Sequence, residues 1–223
     1  MRGFRDSVPI WDLSHLLDIL DPWRPHNLAG DTPDLPEGGR PIPGRPRPER
    51  CLTEMRRGVY RLRIVCCDAY PGLMDECEAA ILAMKPPGEM VVGRVRKIGC
   101  TEMAACWKHW PCLFPQHGPG RKHDRSIVME PWQEEILHRH PSLLLRGLIH
   151  SDGWRGTNRV TVRGKRFEYP RYNFSNKSLD IQEIFCRAAD RFGVSWRQMN
   201  DHAIAVSKRS EVAKLDEVVG PKY

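Results

Sequence analysis

The residue best placed to do chemistry in this chain is a carboxylate at the end of an apolar helical stretch. The stretch 141–153 has a glycine, Gly147, in mid-helix and ends on Asp152, which Gly153 follows. An acid at a helix C-terminus faces the negative end of the helix dipole, at a cost of about 0.3 to 1 kcal/mol. A mid-helix glycine costs about 1 kcal/mol relative to alanine. Both features are explained if two such helices pack closely and direct their terminal carboxylates at one metal site.

The segment that ends at Asp152 resembles a known motif. It matches the LAGLIDADG, or dodecapeptide (DOD), motif of the homing endonucleases at the leucines, at both glycines and at the aspartate, and it departs at His150, where an acid is common in the family. The resemblance implies metal-dependent cleavage of double-stranded DNA, with Asp152 as a Mg2+ ligand and with Gly147 and Gly153 in the packing of the motif helix. The matching residues are Leu145, Arg146, Gly147, Leu148, Ile149, His150, Ser151, Asp152 and Gly153.

The residues after Asp152 predict the elements that must position it. Alternation of polar and apolar residues and an aromatic-rich run indicate a strand hairpin, in which Pro170 marks an edge or a bulge. Ser178 is a typical helix N-cap and Gly193 a typical helix end. The order helix, two strands, helix, two strands, helix is the unit of the homing endonucleases. The predicted elements are strands over 157–162, 167–175, 195–199 and 203–207, and helices over 178–193 and 210–220.

A second copy of this unit lies upstream. The strand around Arg63 precedes a helix with Leu73 on its apolar face, as the strand around Arg171 precedes a helix with Ile181 on its face, and 171 − 63 and 181 − 73 both equal 108. Strands over 90–98 and 101–107 complete most of the first unit. We therefore predict an α+β fold of two pseudo-twofold αββαββα repeats with curved antiparallel sheets. The predicted units are a tail over 1–50, a degenerate first repeat with a basic loop over 51–125, and a second repeat over 126–223.

The first repeat lacks its motif. Subtracting 108 from Asp152 gives Gly44, and four prolines between 41 and 48 exclude a helix there. Residues 1–50, rich in Pro, Gly and Arg, are predicted to be disordered apart from a short helix around 11–20. With Asp152 alone the metal site is half built, so the sequence leaves enzymatic activity open and predicts that cleavage is impaired. The alternative is a non-catalytic DNA-binding or regulatory protein on the same fold.

Charge agrees with a double-stranded DNA partner. The chain has 35 Lys and Arg against 28 Asp and Glu, a net charge of +7 and a pI near 9.1, and a positive field favours phosphate backbones. We expect strand arginines on the sheet face away from the core to contact DNA; the alternative is that they occupy solvated strand faces. The expected DNA contacts are Arg61, Arg63, Arg94, Arg96, Arg121, Lys122, Arg125, Arg159 and Arg163.

Cysteine and histidine recur over 106–123, but without the two-residue Cys–Cys spacing of a zinc ribbon. The pattern favours, over a zinc site, an ordered loop packed on Trp107, Trp110 and Phe114. Eight cysteines without a secretory signal also argue against a disulfide framework.

The remaining predictions concern the surroundings of the site. The resemblance implies a second catalytic group, Lys208, just past the last strand. His150 is expected to favour the helix dipole as a partial cation. No stretch of about 18 apolar residues occurs, so we expect no membrane span and a cytoplasmic protein, nucleoid-associated when bound to DNA. It is expected to be a monomer with internal pseudosymmetry, or a homodimer through the intact motif.

Overall fold

The computed structural model describes residues 52–84, 91–118 and 124–222. The tail over 1–50, the region around Gly44, and Arg121, Lys122 and His123 lie outside these ranges, so the predictions made for them stay predictions. No helix in the described ranges is long and apolar enough to cross a membrane.

The described elements form two halves joined by two helices. The first half consists of β1 (Leu52–Arg56), β2 (Val59–Cys67), α1 (Pro71–Ala83), β3 (Gly93–Lys97) and β4 (Cys100–Trp107). The joining helices are α2 (Trp110–Leu113) and α3 (Pro131–Arg139). The second half consists of α4 (Pro141–Asp152), β5 (Gly153–Val162), β6 (Lys165–Ser175), α5 (Leu179–Phe192), β7 (Arg197–Asn200), β8 (Ala203–Val206) and α6 (Arg209–Val219).

Each half contains one antiparallel four-stranded sheet, and the two sheets have the same topology. The strand orders are β1-β2-β4-β3 and β5-β6-β8-β7. At the end of the central strands, Cys67 pairs with Cys100 in the first sheet and Ser175 pairs with Ala203 in the second. The ends of β2 and β6 are 175 − 67 = 108 residues apart, which is the offset seen in the sequence, whereas their partners in β4 and β8 are 203 − 100 = 103 residues apart. The predicted α+β fold with paired sheets is confirmed.

Helix α5 forms where the sequence predicts it, because its signals are local. The Ser178 hydroxyl accepts a hydrogen bond from the Ile181 amide at 3.5 Å, and Gly193 ends the helix with φ of 74°. That positive φ favours glycine. Ile181 and Phe185 lie on the buried face, as predicted, and the Phe185 ring stacks on Phe174 of β6 at 4.5 Å between centroids.

Helix α3 was not predicted, although its start is signalled in the sequence. The Glu130 amide donates to the Gln133 side-chain oxygen at 2.9 Å, and Pro131 occupies the first turn. A cap residue followed three positions later by Gln is half of a capping box. Leu137 anchors the helix in the core, and a single buried side chain of this kind contributes about 1.5 to 3 kcal/mol.

The core lies between each sheet and its helices and is continuous across both halves. The motif helix α4 buries Leu144, Leu145, Leu148 and Ile149. Trp107 at the end of β4, Trp110 in α2 and Phe114 are buried, as predicted. The Trp110 indole N–H donates to the Ala105 carbonyl at 3.0 Å.

Candidate nucleic-acid interface

Each sheet has one face against the helices and one face away from them, which we call the outer face. Strand register assigns the faces, since side chains alternate and paired residues share a face. In the first sheet, buried Leu62 and Met103 mark the helix face. In the second sheet, Tyr172 and its partner Val206 mark it.

The outer face of the second sheet carries an aromatic residue beneath an arginine. The ring of Trp154 lies along β5 over Gly156, where a Cβ would meet the ring at 1.7 Å. Arg171, which pairs with Gly156 across the hairpin, places its guanidinium 5.4 Å from the centre of that ring. A glycine at 156 is therefore required for Trp154 to lie flat, and the Trp154 side chain remains 44% exposed.

Polar groups on this face lack partners. Within the described residues, Arg171 Nε and Asn173 Oδ1 are buried atoms without a hydrogen bond, and such groups cost about 1 to 3 kcal/mol each. The paired strand residues of this face include three cations and no acid. The cations are Lys165, Arg171 and Arg197.

The outer face of the first sheet includes an acid that pairs with two of its cations. Glu102, only 5% exposed, accepts hydrogen bonds from Arg61 at 3.1 Å and from Lys97 at 2.6 Å. Arg63 donates to the Thr53 hydroxyl at 3.3 Å. Arg61 and Arg63 thus lie on the outer face, as predicted, but the buried carboxylate offsets part of their charge.

The expectation that Arg94 and Arg96 lie on the face away from the core is wrong. Arg94 pairs with Met103 and Arg96 with Thr101, which places both on the helix face. Arg94 forms ion pairs with Asp75, at 2.7 Å, and Glu78 of α1. These pairs raise the pKa of Arg94 above its ordinary value, mainly through the hydrogen bond to Asp75. On an edge strand exposed along its whole length, alternation alone did not reveal the face.

The β5–β6 hairpin also reverses a predicted face. Arg159 has the register of the helix face and pairs with Glu168 at 2.9 Å, whereas Val160 and Val162 lie on the outer face and are exposed. The distal part of the hairpin extends past the helices, so neither of its faces is buried. Arg163 lies in the hairpin turn with φ of 50°.

Pro170 fits the sheet without a bulge, because β8 pairs only with residues 172–175 of β6. On the β8 side of Pro170 there is no neighbouring strand, so the missing N–H of the proline costs the sheet no hydrogen bond there.

Of the predicted basic loop, Arg125 donates to the Gly118 carbonyl at 2.7 Å.

Asp152 is the last residue of α4, and the side chain of the residue that follows β6 holds it. The Asn176 amide donates to its carboxylate at 2.5 Å. Asn176 is itself fixed, since its side-chain oxygen accepts from the Ser178 amide at 2.9 Å and its carbonyl accepts from Gln182 at 2.8 Å. The carboxylate therefore has a defined position at the junction of α4 and β5.

The two glycines of the motif are both buried. Gly147 is buried in α4. At Gly153 a Cβ would lie 2.7 Å from the Ile149 Cα and 3.0 Å from the Asn173 carbonyl oxygen. The chain can turn from helix to strand beside Asp152 only because residue 153 has no side chain.

His150 is not the cation that the sequence suggested. Its ring is 9% exposed, and burial, reinforced by the charges of Arg146 and Lys222, lowers its pKa to about 4. The imidazole is therefore neutral at pH 7. Burial at this helix end outweighs the attraction of the dipole, which is worth at most about 2 kcal/mol.

The structure does not bring Lys208 and Asp152 together. Asn176, which holds Asp152, lies beside the start of β8, because its backbone N–H donates to the His202 carbonyl at 2.9 Å. Lys208 follows the other end of β8, six residues later or about 20 Å along an extended strand. Its ammonium lies 4.0 Å from Glu211.

The described residues do not by themselves form a metal site. In the ranges 52–84, 91–118 and 124–222 no group of three His, Cys, Asp or Glu residues is placed to hold an ion. Mg2+ is often held by one or two carboxylates together with substrate phosphates, and the structure places one carboxylate, that of Asp152, at the end of α4. The donor set is thus incomplete for a metal bound by the protein alone.

Sequence reasoning missed the partner of Asp152 and underrated the outer-face residues. Neither Asn176 nor Trp154 is among the residues that the sequence predicts for the site. The signal was available: buried Tyr172 and Phe174 fix the faces of β6, and the hairpin register then fixes those of β5.

The paired sheets, each backed by helices, match the fold of the LAGLIDADG homing endonucleases. The similar structures include a variant of I-DmoI in complex with its target DNA in the presence of Mg, with 11% identity, a TM-score of 0.50 and 99% of each chain covered. A mesophilic variant of the homing endonuclease I-DmoI has 14% identity and a TM-score of 0.48, over 73% of this chain and 82% of that one.

A third similar structure, the LAGLIDADG meganuclease I-AabMI bound to uncleaved DNA, has 8% identity and a TM-score of 0.46, over 72% and 73%. No protein-family model and no curated protein matches the chain.

Proposed function

We propose that this protein binds double-stranded DNA along the outer faces of its two sheets, on the homing-endonuclease fold, and that its capacity for metal-dependent cleavage is impaired. The observation that carries the proposal is the outer face of the second sheet. Lys165, Arg171 and Arg197 lie there without an opposing acid among the paired strand residues.

The chemistry of this face suits a nucleic acid. Arginine binds phosphates and guanine edges, asparagine pairs with adenine edges, and a strand pair fits the major groove. Arg171 and Asn173 present polar atoms that lack partners within the described residues. Because both atoms are buried, the two side chains would have to change rotamer to present them to a duplex.

Impaired cleavage follows from the donor set. Phosphodiester hydrolysis through paired metals requires several oxygen ligands, and among the described residues no group of three His, Cys, Asp or Glu is placed to supply them. We propose accordingly that the protein acts chiefly as a binder.

The second candidate, an active Mg2+-dependent endonuclease, is favoured by one observation. The amide of Asn176 fixes the Asp152 carboxylate at 2.5 Å where the helix meets the sheet. In that case Asp152 would hold the ion together with phosphate oxygens and a further acid from outside the described ranges.

DNA binding is tested by fluorescence anisotropy with a random-sequence duplex over a salt series. Seven cations have outer-face register, and together they limit the magnitude of the slope of log K against log salt to about 6; we expect a slope of about −3 to −5. They are Arg56, Arg61, Arg63, Lys97, Lys165, Arg171 and Arg197. A slope near zero, or no binding at 50 mM salt, would refute the proposal.

Cleavage is tested with a library of duplex targets and Mg2+, with Ca2+ as the metal control and Asp152→Asn as the protein control. We expect intact DNA that is retarded in a gel with both proteins. Breaks that require Mg2+ and disappear in Asp152→Asn would establish the endonuclease instead. We further propose a monomer in the cytoplasm, nucleoid-associated when bound; sedimentation of the protein with and without duplex checks the oligomeric state.

A further inference from the structure

Two cysteines face each other across the central strands of the first sheet. Cys67, the last residue of β2, is the register partner of Cys100, the first residue of β4. Both have outer-face register, and both are partly exposed. None of the other described cysteines in a strand has a cysteine as its register partner. Cys66 pairs with Thr101, and Cys106 pairs with Arg61.

The backbone hydrogen bonds define the kind of pair. The Asp68 amide donates to the Gly99 carbonyl at 3.4 Å, which makes 68 and 99 a hydrogen-bonded pair. Because the two kinds of pair alternate along an antiparallel ladder, Cys67 and Cys100 form a non-hydrogen-bonded pair, with Cα atoms about 4.5 Å apart and side chains close. Disulfides span Cα separations of about 4.4 to 6.8 Å, so the two sulfurs can bond without movement of the strands.

Neighbouring contacts keep the two strands in this register. Thr101, next to Cys100, donates from its hydroxyl to the Asp68 carboxylate at 2.7 Å, next to Cys67. On the other side of Cys100, its β3 partner Lys97 is tied to Glu102 at 2.6 Å. The end of the ladder that carries the thiols is thus held by side chains from β3, from β4 and from the residue after β2.

We propose that Cys67 and Cys100 form a redox-active dithiol, which a small disulfide such as oxidised glutathione converts to an intramolecular disulfide in the folded protein. Nothing in the DNA-binding proposal is needed for this site, which is a separate property of the first sheet.

The exchange balances as two displacements. The Cys67 thiol loses its proton to solvent and attacks the small disulfide, so that a mixed disulfide forms and one small thiolate leaves. The Cys100 thiolate then attacks the Cys67 sulfur and releases the second small thiol. The protein loses two electrons and two protons, and the small disulfide is reduced to two thiols.

The surroundings of Cys100 indicate which thiol reacts second. Burial and the carboxylates of Asp68 and Glu102 raise the pKa of the Cys100 thiol, with Cys67 in the same direction and Lys97 in the opposite one. The Cys100 thiol is therefore mostly protonated at neutral pH. Its reaction becomes favourable once Cys67 carries the mixed disulfide, because the attack is then intramolecular.

The experiment measures the equilibrium between dithiol and disulfide in glutathione buffers, with the full chain native and, separately, unfolded in urea. Free thiols are trapped by alkylation, and the linked peptides are identified by mass spectrometry. We expect a 67–100 disulfide with an equilibrium constant at least about tenfold larger in the native protein than in the unfolded one. By linkage, a tenfold difference equals about 1.4 kcal/mol of added native stability, so the urea midpoint of the oxidised protein should rise.

Cys67→Ser and Cys100→Ser are the matched variants, and each should leave the other cysteine as a mixed disulfide; circular dichroism verifies their folding. Equal constants in native and unfolded protein would overturn the proposal. So would separate mixed disulfides at both positions of the wild-type protein, or a link between exposed Cys106 and Cys112 in place of 67–100.

Discussion

The two halves of the molecule differ most at the ends of their central strands. At equivalent positions, Asn176 follows β6 and Asp68 follows β2. Asn176 donates its amide to the Asp152 carboxylate at 2.5 Å, whereas Asp68 accepts a hydrogen bond from Thr101 at 2.7 Å. An ionised carboxylate has no hydrogen to donate, so Asp68 could not hold a motif acid in the way that Asn176 does. The first half thus differs from the second in the residue that follows its long central strand.

The outer faces of the two sheets show a related difference. In the first sheet, Glu102 neutralises part of the charge of Arg61 and Lys97, whereas the paired strand residues of the second sheet's outer face include no acid. Charge that is already paired within the protein is less available to phosphates. The second sheet should therefore carry most of the DNA affinity.

The largest expected effect comes from replacing Asn176 in the second half by aspartate, the residue at the equivalent position of the first half. Asn176→Asp keeps the acceptor for the Ser178 amide but sets a second carboxylate against Asp152, so we expect a loss of about 2 to 4 kcal/mol at pH 7. The loss should shrink at pH 4, where one carboxyl is protonated. Urea unfolding at both pH values measures it. The reciprocal variant Asp68→Asn is the control. It should change the free energy of unfolding by less than about 1 kcal/mol, because the side-chain oxygen still accepts from Thr101. Equal losses of stability in the two variants would contradict the proposed difference between the halves.

The next effect concerns His150 in the motif helix. With a pKa of about 4 folded and 6.5 unfolded, the unfolded state binds more protons between these values. Stability from this group is complete above pH 6.5 and is lost as the pH falls towards 4, by about 3 kcal/mol in all.

The difference in unfolding free energy between the wild type and His150→Leu, measured from pH 4 to 7, should follow that window. Carboxylates that titrate in both proteins cancel in this difference. A difference that is independent of pH would contradict the burial of a neutral imidazole.

A smaller effect is expected for DNA affinity. Arg171→Ala removes an outer-face cation and should weaken binding about tenfold, while Arg159→Ala, in the same hairpin but with helix-face register and a Glu168 partner, should change it less than about twofold. Anisotropy titrations at one salt concentration compare the two. If both variants lose affinity equally, the assignment of DNA to one face is wrong.

The smallest effect separates the equivalent helices α1 and α5. Ser178 caps α5, whereas Tyr70 at the same position of α1 makes no side-chain cap. Ser178→Ala should cost about 1 kcal/mol, as measured by urea unfolding. Ser210→Ala, at an exposed position near the start of α6, is the control and should stay within about 0.5 kcal/mol. A loss of stability no larger than that of the control would show that the Ser178 hydroxyl does not stabilise α5.

The sequence by itself determined the elements whose signals are local: the Ser178 cap, the Gly193 end, the apolar face of α5, the end of α4 at Asp152, and the 108-residue offset between β2 and β6. Only the tertiary structure decided which face each arginine occupies. Arg94 on an edge strand and Arg159 in a projecting hairpin have no buried neighbour to fix the alternation, and a shift of one residue exchanges the faces. It also decided the protonation of His150 and the pairing of Asn176 with Asp152, because burial and contacts between distant residues leave no local pattern in the chain.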